Sequence, residues 1–224
     1  MGLLLHLETA TRNCSVALGD NGALLDLEEQ ATEGYSHAEN LHPFIERILE
    51  RNKLQVSDLD AVCVSKGPGS YTGLRIGVSA AKGLCYAAQL PLISVTTNEV
   101  LAHHPDVQAE GDDRIVTVID ARRMEVYAQS FNAKKEAQGP IEAVVVDESS
   151  FAGSGRLVLV GDGAEKLEEV LQGLRPDIIQ TFPSARDMVA LGESAFTEQT
   201  FEDVAYFEPF YLKDFVAGIP KKLI

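Results

Sequence analysis

The chain has 224 residues, 45% of them hydrophobic, and a formal net charge of −15. That apolar content excludes a disordered chain and suits one large domain or two small ones. The negative charge repels a phosphate backbone and argues against independent binding of DNA or RNA.

LLLHLET reads as a buried strand, and CSVALGDNGALLDLEEQ as a hairpin turning at Asp20, Asn21 and Gly22. In YSHAENLHPFIERILERNKL, Ser36 followed by Glu39 is a capping-box signature, and Leu41, Phe44, Ile45, Ile48 and Leu49 form one apolar stripe. The spacing predicts a helix over 36–52, bent near Pro43. LDAVCVSKG is a second buried strand, TGLRIGVSAAKGLCYAAQ a second helix, and LPLISVT a strand leading into a third helix. Alternating strands and helices imply parallel pairing. The polar stretch HHPDVQAEGDD, residues 103 to 113, suits a linker or domain boundary. Beyond it RIVTVIDARRMEVYAQSF reads as two strands around a turn, IEAVVVD and RLVLVGDG as further strands, and AEKLEEVLQGL and ARDMVALGESAF as helices. The tail FEPFYLKDFVAGIPKK, with two prolines, carries no clear pattern.

Cys14, Cys63 and Cys85 are odd in number and lack C-x-x-C spacing, as expected of reduced thiols in the cytoplasm. No apolar run reaches membrane-spanning length. The start MGLLLHLETAT has no basic leader region and places His6 where a myristoylation signal needs Ser or Thr.

The glycines of SKGPGSYTGLRIGVSAAKGL invite a phosphate reading, which spacing rejects. Gly67, Gly69 and Gly73 do not make G-x-G-x-x-G, and no Gly-Lys-Ser/Thr follows. Gly73, Gly77 and Ala81 instead recur every fourth residue, and Ala80, Gly83, Ala87 and Ala88 broaden a face poor in side chains. Glycine inside a helix costs about 1 kcal/mol against alanine, so close packing must offset the loss. That packing is either within the protein's own core or at a subunit interface. Arg75, Ser79 and Lys82 give the face polar edges, which favours the interface.

His37 and His42 lie five apart, on different sides of a helix, whereas ligand pairs use three or four; His103 and His104 are adjacent and point apart. No metal site is expected. Glu8, Thr9 and Thr11 end one strand and enter a turn, where hydroxyls hold phosphate oxygens and an acid holds a metal ion's water. Asp120 ends a second strand, and Gly161 and Gly163 precede an expected helix N-terminus suited to an anion or a ribose. Turn residues serving only the turn is the competing reading of all six.

Strand, acid-Thr turn and hairpin, then a second half with an Asp turn and a Gly-rich turn, resemble the α/β actin-like ATPase fold (ASKHA, Hsp70-like and RNase H-like), with two related halves and mixed sheets. LETATRNCSVAL, SKGPGSYTGLRIGVSAAKGL and DARRMEVY resemble, in the same order, the most characteristic stretches of the TsaB (YeaZ) family. The resemblance covers essentially the whole chain. It implies a first domain of residues 1–105 joined by the tail 206–224, and a smaller second domain of 106–205. It implies a non-catalytic subunit in the formation of threonylcarbamoyladenosine beside the tRNA anticodon, pairing with the related transferase TsaD and joined by the ATPase TsaE. The chain alone would pair with itself, meet tRNA mainly through the complex, and hold no cofactor tightly, with ATP entering at the complex. The H-x-x-x-H pair that holds the metal of TsaD is missing, and Glu8 stands where many actin-like ATPases have Asp, which implies a vestigial nucleotide site of Glu8, Thr9, Thr11, Asp120, Gly161 and Gly163. The partner interface would combine Leu41, Phe44, Ile45 and Ile48 of the first helix with the glycine turn and helix: Gly69, Tyr71, Gly73, Arg75 and Ile76, then Gly77, Ala80, Ala81, Lys82 and Leu84. A nucleotide-dependent small-molecule kinase using Glu8, Thr9, Thr11 and Asp120 is the alternative; a metallopeptidase-like protein lacks ligands here.

Overall fold

The computed structural model describes residues 1–32 and 37–213. The first half starts with three antiparallel strands, β1 (Leu3–Glu8), β2 (Asn13–Asp20) and β3 (Ala23–Ala31). Helix α1 (His37–Asn52), strand β4 (Ala61–Ser65), helix α2 (Tyr71–Ala88), strand β5 (Leu92–Val95) and the short helix α3 (Thr97–Ala102) follow. β4 and β5 add in parallel beside β1, giving the order β3-β2-β1-β4-β5. β1 and β4 are buried along nearly their whole length because both sheet faces are covered, the expected pattern of a central strand. The edge strand β3 is acidic and solvated. Asp26 and Glu28 pair with Arg47 and Arg51 of α1, and such charge discourages pairing with another sheet edge.

The second half repeats the plan. β6 (Arg114–Asp120), β7 (Glu125–Asn132) and β8 (Glu142–Val145) are antiparallel, while β9 (Leu157–Val160) and β10 (Asp177–Ile179) add in parallel, in the order β8-β7-β6-β9-β10. Two sheets of one topology, mixed in the same sense, make this the actin-like fold. β10, three residues after Pro176, has no pattern long enough to read from sequence.

Helix α4 (Val189–Thr197) and the 3₁₀ turn Ala185–Met188 before it return to the first sheet. Ala185, Met188 and Val189 are buried with Leu4, Ala17, Cys63 and Ile93 on the face opposite α1 and α2. Residues 184–197, assigned by sequence to the second domain, therefore complete the core of the first. Their apolar stripe says that they are covered, not by which sheet.

The stretch 103–113 is no loose linker: Val107 and His104 are buried, and the hydroxyl of Thr181 lies 3.2 Å from His104 Nε2. α3 joins the halves, with Val100 in the core of the first and Ala102 in that of the second, while Asn98 Nδ2 donates to Thr117 Oγ1 at 2.8 Å. AEKLEEVLQGL is not an α-helix but holds two 3₁₀ turns, Glu165–Leu167 and Gln172–Leu174. Gly163 at one end, and Gly173 and Pro176 at the other, leave too little chain to repay helix nucleation. α1 begins at His37, so the cap expected from Ser36 lies outside the described residues, as do residues 214–224 of the tail.

Candidate functional site: a clamped turn and a helical groove

The turn leaving β1 is enclosed by the protein itself. Glu8 is fully buried, Oε1 accepts from Ala10 N at 2.6 Å, and burial pushes the carboxyl up to about 7. Thr9 Oγ1 donates to Gly73 O at 2.8 Å, Ser70 N donates to Ala10 O at 2.6 Å, and His37 Nε2 lies 2.7 Å from Thr11 O. A Cβ on Gly69 would stand 2.3 Å from Ala10 O, one on Gly73 2.1 Å from Thr9 O, and one on Gly77 2.3 Å from Thr9 Oγ1. Gly69 before α2, and Gly73 and Gly77 within it, are thus for close approach, as expected, but what approaches is the chain's own β1–β2 turn. This corrects the interface reading of Gly69, Gly73 and Gly77. Leu41, Phe44, Ile45, Ile48 and Ala81 are likewise buried in the first half's core and do not line the groove between α1 and α2.

Asp187, which the sequence did not single out, faces this turn. Burial raises its pKa, Arg186 Nε lies 3.2 Å from its Oδ1, and its negative charge repels that of Glu8. An acid just before the apolar run MVAL was the available signal. Beside it Glu29 Oε2 accepts from Ser184 Oγ at 2.7 Å.

The second candidate group is also internally engaged. Asp120 accepts from Arg122 N at 2.9 Å and pairs with Lys166; Asp120 N donates to Asp162 Oδ1 at 2.9 Å, and burial pushes Asp162 up to about 6. Gly161, at φ +135°, would set a Cβ 2.1 Å from Val118 O, and Gly163 one 3.1 Å from Val126 Cγ1. Both admit neighbouring strands, and only a 3₁₀ turn follows, so the expected helix N-terminus is missing. No hydrogen bond or ion pair joins the Glu8 group to the Asp120 group among the described residues. These residues do not fit an open cradle for a nucleotide phosphate.

A groove runs between α1 and α2, lined by Ala38, His42, Tyr71, Thr72, Arg75, Ile76, Ser79, Ala80, Gly83 and Leu84. Ile76 and Leu84 are half-buried, packed on the core from its rim. Arg75 lies over the Tyr71 ring at 4.1 Å and donates from Nε to Tyr211 Oη at 3.1 Å. Lys82 Nζ donates to Ala205 O and Phe207 O, at 3.2 and 2.8 Å. The chain's own C-terminal segment therefore engages two of the three expected polar edges, Arg75 and Lys82. Of the predicted interface, Tyr71, Arg75, Ile76, Ala80 and Leu84 line the groove and Lys82 lies beside it.

The family model described as "TsaD: tRNA N6-adenosine threonylcarbamoyltransferase" matches residues 33–221. The chain is 30% identical to the Escherichia coli (strain K12) tRNA threonylcarbamoyladenosine biosynthesis protein TsaB, over 96% of each chain. It is 34% identical to the Bacillus subtilis (strain 168) protein of that name, over 60% of this chain and 52% of the relative. Among solved structures, YeaZ from Pseudomonas aeruginosa superposes with a TM-score of 0.81 at 28% identity, covering 95% of this chain and all of the other.

Proposed function

The chain belongs to the TsaB (YeaZ) family and acts in tRNA threonylcarbamoyladenosine biosynthesis, and from that premise we propose that it is the non-catalytic subunit that binds the transferase TsaD and holds it in its active arrangement. The observation that carries this reading is the α1–α2 groove: apolar at its floor through Ile76, Ala80 and Leu84, with Tyr71 and Arg75 at one end. Half-buried apolar side chains beside an aromatic and an arginine are the composition of a protein–protein contact. In isolation the same face would pair with a second copy. TsaE and tRNA would join through the assembled complex, in the cytoplasm. The absence of a catalytic role is supported by the clamped β1–β2 turn, and by His37 being committed to Thr11 while His42 stands at the groove. ATP, where needed, would bind at the complex.

The test is threonylcarbamoyl transfer to tRNA reconstituted from purified components, with and without this chain. Omission should abolish transfer; unchanged transfer, or ATP turnover by the isolated chain, overturns the proposal. Gly77→Leu would damage the fold and cannot locate the contact. Ser79→Arg places a bulky charge in the groove from an exposed position, and should lose both TsaD binding and transfer at an unchanged melting temperature.

A further inference from the structure

The β6–β7 connection holds two arginines in a backbone conformation that disfavours them. Arg122 has φ +70° and Arg123 φ +50°, consecutive left-handed residues in a position suited to Gly or Asn. Both side chains are exposed, and neither makes an ion pair among the described residues. The charges around them are already matched: Lys166 pairs with Asp120 and donates to Glu125 O at 2.7 Å, while Lys213, from the C-terminal segment, pairs with Glu125. Asp120 and Glu125 are thereby occupied by lysines and Asp162 accepts from the Asp120 amide, so the guanidinium pair is left without an acid partner among the described residues on a chain of net charge −15.

We propose that this hairpin tip is where the chain touches RNA, Arg122 and Arg123 binding phosphodiester oxygens of the tRNA once the complex is assembled. The inference rests on the function proposed above and adds a contact to it. A guanidinium binds phosphate through paired N–H donors. Two adjacent ones at the tip of a rigid hairpin reach one stretch of backbone without bringing the acidic remainder of the chain near it. The contact reads no base, so it contributes affinity and position instead of sequence choice. It is also too small to hold RNA alone, in keeping with the overall charge.

The experiment compares the wild-type chain with two double variants in the complete complex with TsaD and TsaE. Arg122→Gly with Arg123→Asn removes both charges and installs residues that accept positive φ, so the hairpin keeps its shape. Arg122→Lys with Arg123→Lys keeps the charge. Fluorescence anisotropy of labelled tRNA over a KCl series, and KM and kcat of transfer for tRNA, are the readouts. The Gly-Asn chain should lose about tenfold in tRNA affinity, and its plot of log affinity against log salt should be shallower by about 1.5, for two lost phosphate contacts. KM should rise with kcat unchanged, the melting temperature should not fall, and the Lys-Lys chain should recover most of the salt dependence. Unchanged affinity and slope in the Gly-Asn chain overturn the inference. So does loss of TsaD binding by that chain, because the tip is then a protein contact. Failure of the functional reading looks different: transfer would then be indifferent to omission of the whole chain.

Discussion

Glu8 and His6 sit two residues apart on the same face of β1 and oppose each other in their response to pH. Burial pushes Glu8 from its ordinary 4.5 up to about 7. Between those values the folded chain holds a proton that the unfolded chain has released, so this group's contribution to stability falls as pH rises through the window. Burial lowers His6 from 6.5 to about 3, and neither ring nitrogen has a hydrogen-bond partner among the described residues. The unfolded chain takes up a proton below pH 6.5 that the folded chain refuses, so this contribution falls as acid is added. The two slopes offset each other between about pH 4.5 and 6.5. Glu8→Gln should therefore stabilise the protein at pH 8, by an amount on the order of 3 kcal/mol, with the gain gone at pH 4; urea titrations at the two pH values measure it. His6→Leu should flatten the acid limb between about pH 6.5 and 3 in thermal melts over that range; an unchanged limb would mean that another group causes it. The sequence marked Glu8 as a site residue because an acid ends a strand. Its neutral tendency comes from enclosure and from Asp187, distant in sequence.

Helix α2 shows that glycines of one element serve different ends. Gly73 lies against the Thr9 carbonyl, while nothing stands within 4 Å of a Cβ on Gly83. Gly73→Ala gains the helix propensity of alanine but must push the β1–β2 turn aside, an overpacking cost of about 1–3 kcal/mol, so a net loss of stability is expected. Gly83→Ala meets no neighbour and should gain about 1 kcal/mol. Opposite shifts of the denaturation midpoint would assign the two glycines; equal shifts would refute the clamp. The fourfold spacing was legible, and so was its meaning of close approach. Spacing is a property of one helix, however, and carries no information about what lies across from it. The same limit explains AEKLEEVLQGL, where Leu167 and Leu171 are buried as the period requires but flanking glycines and Pro176 deny the segment a helix.

For the whole molecule, the return of residues 184–197 to the first sheet ties that half's stability to chain that follows the second half. Met188 is fully buried against the first sheet's second face. Met188→Ala should cost about 2–5 kcal/mol, and hydrogen exchange should show protection lost first in β1 and β4, with β9 and β10 less affected; the reverse order would place the segment with the second half. The sequence by itself determined most of the order of strands and helices, the Asn-Gly hairpin and the duplicated α/β plan, because each is written in neighbouring residues through periodicity and turn chemistry. Tertiary structure alone decided that the small face of α2 is filled by the chain's own turn, that the apolar stripe of α1 is core, that α4 belongs to the first sheet, and that a groove remains open between α1 and α2. A side chain's pattern states that it will leave water; which surface receives it is settled by contacts between residues far apart in the chain, as the whole fold closes.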